Sequence, residues 1–287
     1  MKPHVRRIAL CLLLLVCLTP VWARADIGPK PSVRIRFSGM KQQTYYVTLL
    51  SARSSTGPAW AYDGTEQSAL FHDGDKDFDI WQRFTAYQDS DGYYFLQQFE
   101  QCRGDDTYVW GYFPPSPFKV LLYFPEQDTF AVSEICERYA FDSYYAVRWS
   151  GAADGALAVE RQYPFQRELL ALAARIVLTI AIELLVALPF GFRARRQLRF
   201  LAAVNLVTQV ALNLLLHYLD YSRGPYAFVF YYAVLELLVL AAEAMLYRRR
   251  LPGANAPSAH PVCYACAANA LSFVSGLWLA NVLPDIF

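Results

Sequence analysis

Residues 167–199 read RELLALAARIVLTIAIELLVALPFGFRARRQLR: an apolar run of some two dozen residues that stops at Arg193, Arg195, Arg196 and Arg199. A bilayer's hydrocarbon core takes about 20 apolar residues of helix, and Lys and Arg collect on its cytoplasmic side. The stretch therefore predicts a transmembrane helix at 169–190 whose C-terminal end lies inside the cell. The same pattern recurs at 198–219, 226–247 and 262–283. The segment after the third run opens with Arg248, Arg249 and Arg250, whereas the one after the second holds only Asp220 and Arg223. Alternate loops thus differ in charge, so both Arg-rich loops are expected on the cytoplasmic side and the C-terminal tail outside. Short loops predict antiparallel neighbours packed as a bundle. Tyr218, Tyr221, Tyr226, Tyr231 and Tyr232 gather near the outer ends, where membrane-interface aromatics sit.

Upstream, Lys2, Arg6 and Arg7 precede an apolar stretch at 8–22, followed by Ala23-Arg24-Ala25. A positive start, a short apolar core and an A-x-A site make a cleavable signal peptide, residues 1–25. Between signal and helices, residues 26–164 carry 12 Lys/Arg against 19 Asp/Glu, while residues 165–287 carry 10 Arg against 6 acids. The halves belong in different surroundings, the first outside the cell. The chain's net charge of +1 excludes a nucleic-acid partner, which needs a concentrated basic face.

Residues 26–164 are expected to be mainly β. Val33-Arg34-Ile35-Arg36-Phe37 alternates apolar and charged, the period of a half-buried strand. Further strands are predicted at 45–50, 81–87, 93–99, 108–112, 118–124, 129–132 and 144–149, separated by Asp-, Gly- and Pro-rich turns. This predicts an antiparallel sandwich-like domain or a barrel, with Trp60, Trp81, Trp110, Trp149 and the other aromatics in its core; exposed aromatic platforms that bind sugars or peptides are the alternative. Residues 135–139 read as a short helical turn. Cys102 and Cys136 are a candidate disulfide, since export leads to an oxidising compartment; two free thiols are the alternative. Asp73, Asp75, Asp77 and Asp79 alternate in one loop. They read as a solvated acidic loop, with Ca²⁺ as the alternative, because Phe78 and Phe84 occupy the positions where an EF-hand loop has Gly and Glu. Otherwise no metal and no cofactor is expected.

The bundle carries polar residues that a lipid-facing surface would not tolerate: Glu183, then Asn205, Thr208, Gln209, Asn213 and His217, then Glu236 and Glu243, then Asn269, Ser272 and Ser275. Intervals of four put Asn205, Gln209, Asn213 and His217 on one drifting face. Glu183, Asn205 and Asn269 each lie seven residues from an expected cytoplasmic end, about 10 Å deep; Gln209, Ser272 and Glu236 lie about 16 Å deep. Two polar layers are therefore predicted, serving either as hydrogen-bonding glue or as a functional site. Cys263 and Cys266 are expected to be packing residues.

The membrane half, with Asn205-x-x-Thr208, Glu236-x-x-Val239-x-x-x-Glu243-Ala244 and Asn269-x-x-Ser272, resembles a recurring module of uncharacterised bacterial multi-pass membrane proteins. Pro115-Ser116-Pro117-Phe118-Lys119 followed by Leu121-Leu122-Tyr123-Phe124-Pro125 is similar to exported proteins of Gram-positive bacteria of the gut. The resemblance implies no activity. The expected function is an extracytoplasmic ligand- or protein-binding domain on a membrane bundle, in sensing or as an accessory or assembly subunit. Its partners are the lipid bilayer and another membrane or extracellular protein. A transporter or ion- or proton-conducting component using the intramembrane Glu residues is the alternative. An intramembrane enzyme is the least supported, because no metalloprotease, serine-hydrolase or phosphate-loop motif is present.

Overall fold

The computed structural model describes residues 30–151, 156–251 and 260–282. The segment expected to be a signal peptide, the C-terminal tail and most of the segment after Arg250 lie outside these.

The N-terminal part is a domain of mixed sheets. Its strands are β1 (Ser32–Ser38), β2 (Thr44–Ser51), β3 (Ser55–Thr56), β4 (Ala59–Trp60), β5 (Tyr94–Phe95), β6 (Glu100–Arg103), β7 (Thr107–Trp110), β8 (Phe118–Phe124), β9 (Thr129–Ser133), β10 (Asp142–Arg148), β11 (Ala156–Leu157) and β12 (Val159–Arg161). One sheet has the order β12-β10-β1-β7; the second runs β11-β9-β8-β2-β5, with β6 also on β2; β3 and β4 form a small hairpin. The expectation of purely antiparallel pairing is corrected. β1 runs parallel to β10, and β11 parallel to β9. Parallel pairing joins strands far apart in sequence, so no local turn signal announces it.

β1 behaves as its pattern demands: Val33, Ile35 and Phe37 are buried while Arg34 and Arg36 are exposed. They pack against Tyr45, Val47 and Leu49 of β2 and Phe118, Val120, Leu122 and Phe124 of β8, the main core between the sheets. β8 is buried along its whole length, because its other face is covered too. There Leu121 and Tyr123 meet Trp81 and Phe84 of helix α1 (Phe78–Ala86). The strand expected at 81–87 is thus a helix. Phe78, Trp81 and Phe84 recur every third residue, the spacing of one helical face, and this outweighs the β preference of the aromatic residues. The stretch at 135–139 holds no helical turn. Cys136 instead makes an isolated bridge with Phe118. Trp81 and Trp110 are core residues as expected, whereas Trp60 is exposed.

The C-terminal part is helical: α2 (Phe165–Ala187), α3 (Arg195–Arg223), α4 (Pro225–Arg250) and α5 (Pro261–Val282). α2 touches α3 and α5, and α4 touches α3 and α5, so the four close into a ring. Among the described residues three helices are long and apolar enough to cross a membrane: Phe165–Ala187, Arg195–Arg223 and Phe230–Arg250. Their burial runs opposite to that of a water-soluble bundle. Leu170, Val177, Leu185, Val207, Leu238, Val274 and Trp278 face outward, while Glu183, Asn205, Gln209, Glu243 and Asn269 are buried. Apolar patches of this extent are not stable against water, but they match hydrocarbon.

α3 and α4 meet at Gly224, whose φ of +82° and ψ of 178° lie in a region essentially reserved for glycine. Pro225 then starts α4, its fixed φ suited to the first helical position. The sheet domain sits on this hinge. The Phe141 N–H donates to the Tyr221 carbonyl at 2.9 Å, and Tyr163 packs edge-on against Tyr221, with ring centres 5.5 Å apart.

Candidate functional site

The most distinctive chemistry lies inside the helical ring. Glu183 of α2 and Glu243 of α4 are both completely buried. Glu243 is well held: Thr208 Oγ1 of α3 donates to Oε1 at 2.6 Å, and Asn269 Nδ2 of α5 donates to Oε2 at 2.7 Å. Three helices are tied through one carboxylate, which removes its need for solvent. Asn205 Nδ2 donates to Tyr247 Oη at 3.2 Å and to its own helix at the Leu201 carbonyl at 3.1 Å. Tyr264 Oη donates to the backbone carbonyl of Glu183 at 3.2 Å. Tyr247 and Tyr264, rings 5.5 Å apart, close the cluster on the side of the Arg-rich helix ends.

Glu183 differs from Glu243. Its carboxylate lies close to Asn205 and within electrostatic reach of Glu243 and Glu236, yet neither oxygen has a partner at hydrogen-bonding geometry. Asn205 Oδ1 and Asn269 Oδ1 are likewise buried and unpartnered.

Of the two predicted polar layers, the structure assembles one. Glu183 and Asn205 are neighbours, and Asn269 joins through Glu243, a member of the expected polar set assigned to neither layer. The second layer does not form as expected. Gln209 takes up Asn213 Nδ2 on its own helix, with 2.9 Å to its carbonyl. Ser272 Oγ donates to the Asn269 carbonyl, also on its own helix. Glu236 is half-buried and turned toward Tyr232 of its own helix. The drifting face on α3 is real: Asn205, Gln209 and Asn213 are buried, while His217 emerges beside Tyr163 and Glu168. Tyr247 and Tyr264 were not anticipated, because a tyrosine near a helix end reads as an interfacial anchor; the clue was Tyr247 one turn after Glu243, on the same face. Cys263 and Cys266 are exposed on α5 rather than packed. Tyr264, Ala265 and Ala268 take the inner face instead.

The remaining candidates lie in the sheet domain. Cys102 and Cys136 are free thiols, the second of the two alternatives. Cys102 is paired with Tyr45 at one end of β2, whereas Cys136 bridges to Phe118 at the far end of β8. With Tyr46 opposite Tyr123 and Ser51 opposite Phe118, the two cysteines sit roughly six residues apart along the sheet, about 20 Å, whereas a disulfide needs Cα atoms within about 7 Å. Burial, reinforced by Asp106 and Glu100, pushes the Cys102 thiol up to about 12.

The aspartates of the acidic loop also disperse. Asp75 accepts the His72 N–H at 2.7 Å, Asp77 receives the Tyr46 hydroxyl at 3.3 Å and starts α1, and Asp79 lies in its first turn. Among the described residues no three His, Cys, Asp or Glu side chains form a group that could hold a metal, so the Ca²⁺ alternative at Asp73, Asp75, Asp77 and Asp79 has no geometric support. An open cleft on the sheet domain is lined by Leu70, Phe71, Gln98, Phe99, Val109 and Tyr112.

No family model matches the chain, and the search of curated proteins returned no relative.

Proposed function

We propose that the chain is an exported multi-pass membrane protein of the cell membrane. Its signal peptide is removed, its sheet domain faces the outside, its four helices cross the bilayer, and the Arg-rich segments at 193–199 and 248–250 are cytoplasmic. The sheet domain binds a ligand or protein, and the protein acts in sensing or as an accessory or assembly subunit. One observation carries this reading. The sheet domain is not merely tethered to the helices but fixed on the α3–α4 hinge by the Phe141–Tyr221 hydrogen bond and the aromatic packing of Tyr163. An orientation fixed in this way lets occupancy of the outer domain be felt at a helix junction. The cleft edged by Phe99, Val109 and Tyr112 offers the apolar and aromatic surface that recognition sites use.

A photoreactive residue in place of Val109, compared with one in place of Glu66 on an exposed turn, tests the reading in cells of the native host. A discrete crosslinked species formed from position 109 alone supports it. Equal crosslinking from both positions, or none from either, removes it.

A second reading, an ion- or proton-conducting component, is favoured by the buried Glu183 and Glu243, since ionisable groups inside a bilayer are rare and concentrated on ion pathways.

A further inference from the structure

We propose that the interior shared by α2, α3, α4 and α5 binds a small, hard metal cation through the Glu183 and Glu243 carboxylates and the side-chain oxygens of Asn205 and Asn269. The inference deepens the second reading and does not depend on what the sheet domain binds.

The polar atoms there are unbalanced in kind. Most donors are used: Asn269 Nδ2 serves Glu243 and Ala265, Asn205 Nδ2 serves Tyr247 and Leu201, Thr208 serves Glu243, and Tyr264 serves the Glu183 carbonyl; the Tyr247 hydroxyl, which accepts from Asn205, keeps one proton for a single further acceptor. Around the two carboxylates the unpartnered atoms are acceptors: both oxygens of Glu183, Asn205 Oδ1 and Asn269 Oδ1; the one buried unpartnered donor described in the helices, Arg175 Nε, lies two turns away along α2. Buried acceptors without donors are unfavourable, and a surplus of oxygens alone is what a cation neutralises.

Charge points the same way. Neither carboxylate has a basic ion-pair partner among the described residues; the titratable neighbours are Glu236, Tyr247 and Tyr264. Arg175 of α2 lies toward Tyr232 and Asp220 instead, and His217 sits by Glu168. Ionised together, the two carboxylates would carry two negative charges that a dry interior tolerates only with a cation beside them. A single proton on Glu183 would supply one donor for one acceptor and leave Asn269 Oδ1 as it is. A metal ion contacts several oxygens at once. Two carboxylates, two amide oxygens and the Thr208 hydroxyl approach the six to eight oxygens that a Ca²⁺-sized ion takes. They suit it better than a soft metal, whose thiolate ligands Cys263 and Cys266 are turned outward.

The test uses the full chain in lipid nanodiscs, stripped with EDTA, with thermal unfolding followed at pH 6 and pH 8. Ca²⁺, Mg²⁺ and Na⁺ are titrated separately against choline at matched ionic strength. For at least one of the three, a saturable rise in midpoint of roughly 5–10 °C is expected at about a hundredfold excess over Kd. The rise should vanish in Glu183→Gln and in Glu243→Gln, and persist in an Asp73→Asn, Asp75→Asn double variant that neutralises part of the acidic loop. Equilibrium dialysis of the unmodified chain with the same ion should show saturable binding even if a Gln variant fails to fold. A midpoint that ignores all three cations and follows pH alone would overturn the proposal and make a proton the occupant. A rise that survives both Gln variants, or is lost in the double variant, overturns it by placing the ion elsewhere.

Discussion

Two buried polar side chains outside the membrane region show what single residues contribute. Lys119 lies inside β8, where an apolar residue would be expected, and its ammonium reaches both oxygens of the buried Asp89 at 3.0 Å and also bonds Asp91. Burial works against its charge, but the bonds to Asp91 and Asp89 hold its pKa above the ordinary lysine value. A raised lysine pKa means that the contribution is fully present below the unfolded value near 10.4 and is lost only as pH climbs through the folded one. Lys119→Met should therefore lower stability by about 3–5 kcal/mol at pH 7, because Asp89 keeps a buried charge without its partner; denaturant unfolding measures it. Gln97, also buried, accepts the Leu70 N–H and Trp81 Nε1–H and donates to the Trp60 and Ser68 carbonyls. Gln97→Ala removes all four bonds and strands the Leu70 N–H and the Trp81 Nε1–H, while the Ser68 carbonyl keeps the Trp60 Nε1–H; it should cost about 2–4 kcal/mol, with increased amide exchange at Leu70. The Cys102 thiol, held near pH 12 and buried, should resist maleimide at pH 7.5 and react only after unfolding. Rapid labelling of the native chain at Cys102 would contradict that placement.

Among the elements, the α3–α4 hinge depends most on one position. A Cβ at Gly224 would come within 2.6 Å of the Phe141 ring, and the φ of +82° is itself hostile to any side chain. Gly224→Ala should cost about 2–4 kcal/mol in backbone strain and steric conflict. It should also loosen the sheet domain, read as faster proteolysis between Tyr139 and Tyr163. Adding Phe141→Ala should restore the steric part and leave the strain, so partial recovery is expected. Helix α1 carries the opposite lesson. Its aromatic residues favour strands one by one, yet their threefold spacing presents Trp81 and Phe84 together to the outer face of β8. That surface exists only because the sheet is buried on both sides.

For the whole molecule, the inverted distribution of polarity is the governing fact. Apolar side chains line the outside of the helical ring and carboxylates its inside, and only an apolar surrounding stabilises that arrangement. Charge then sets direction. A cysteine replacing Ala194, beside Arg193 and Arg195, should remain unlabelled by impermeant reagents in intact cells, while one replacing Asp73 on the sheet domain should label at once. The reverse pattern would invert the topology.

What the sequence determined by itself was whatever repeats locally: the apolar runs of the helices, the alternation of β1, the Arg-rich segments, and the inward polar positions at Glu183, Asn205 and Asn269. Each depends on spacing within one segment, which periodicity records directly. Only the tertiary structure decided which segments meet. The parallel pairing of β1 with β10, the distance between Cys102 and Cys136, and the convergence of Thr208, Asn269 and Glu243 all join residues from separate elements. The same holds for Glu183, which composition marks as one more intramembrane acid. That its oxygens go unpartnered while those of Glu243 are tied follows from how α3 and α5 present their side chains, because a donor's direction is fixed by packing and not by its place along the chain.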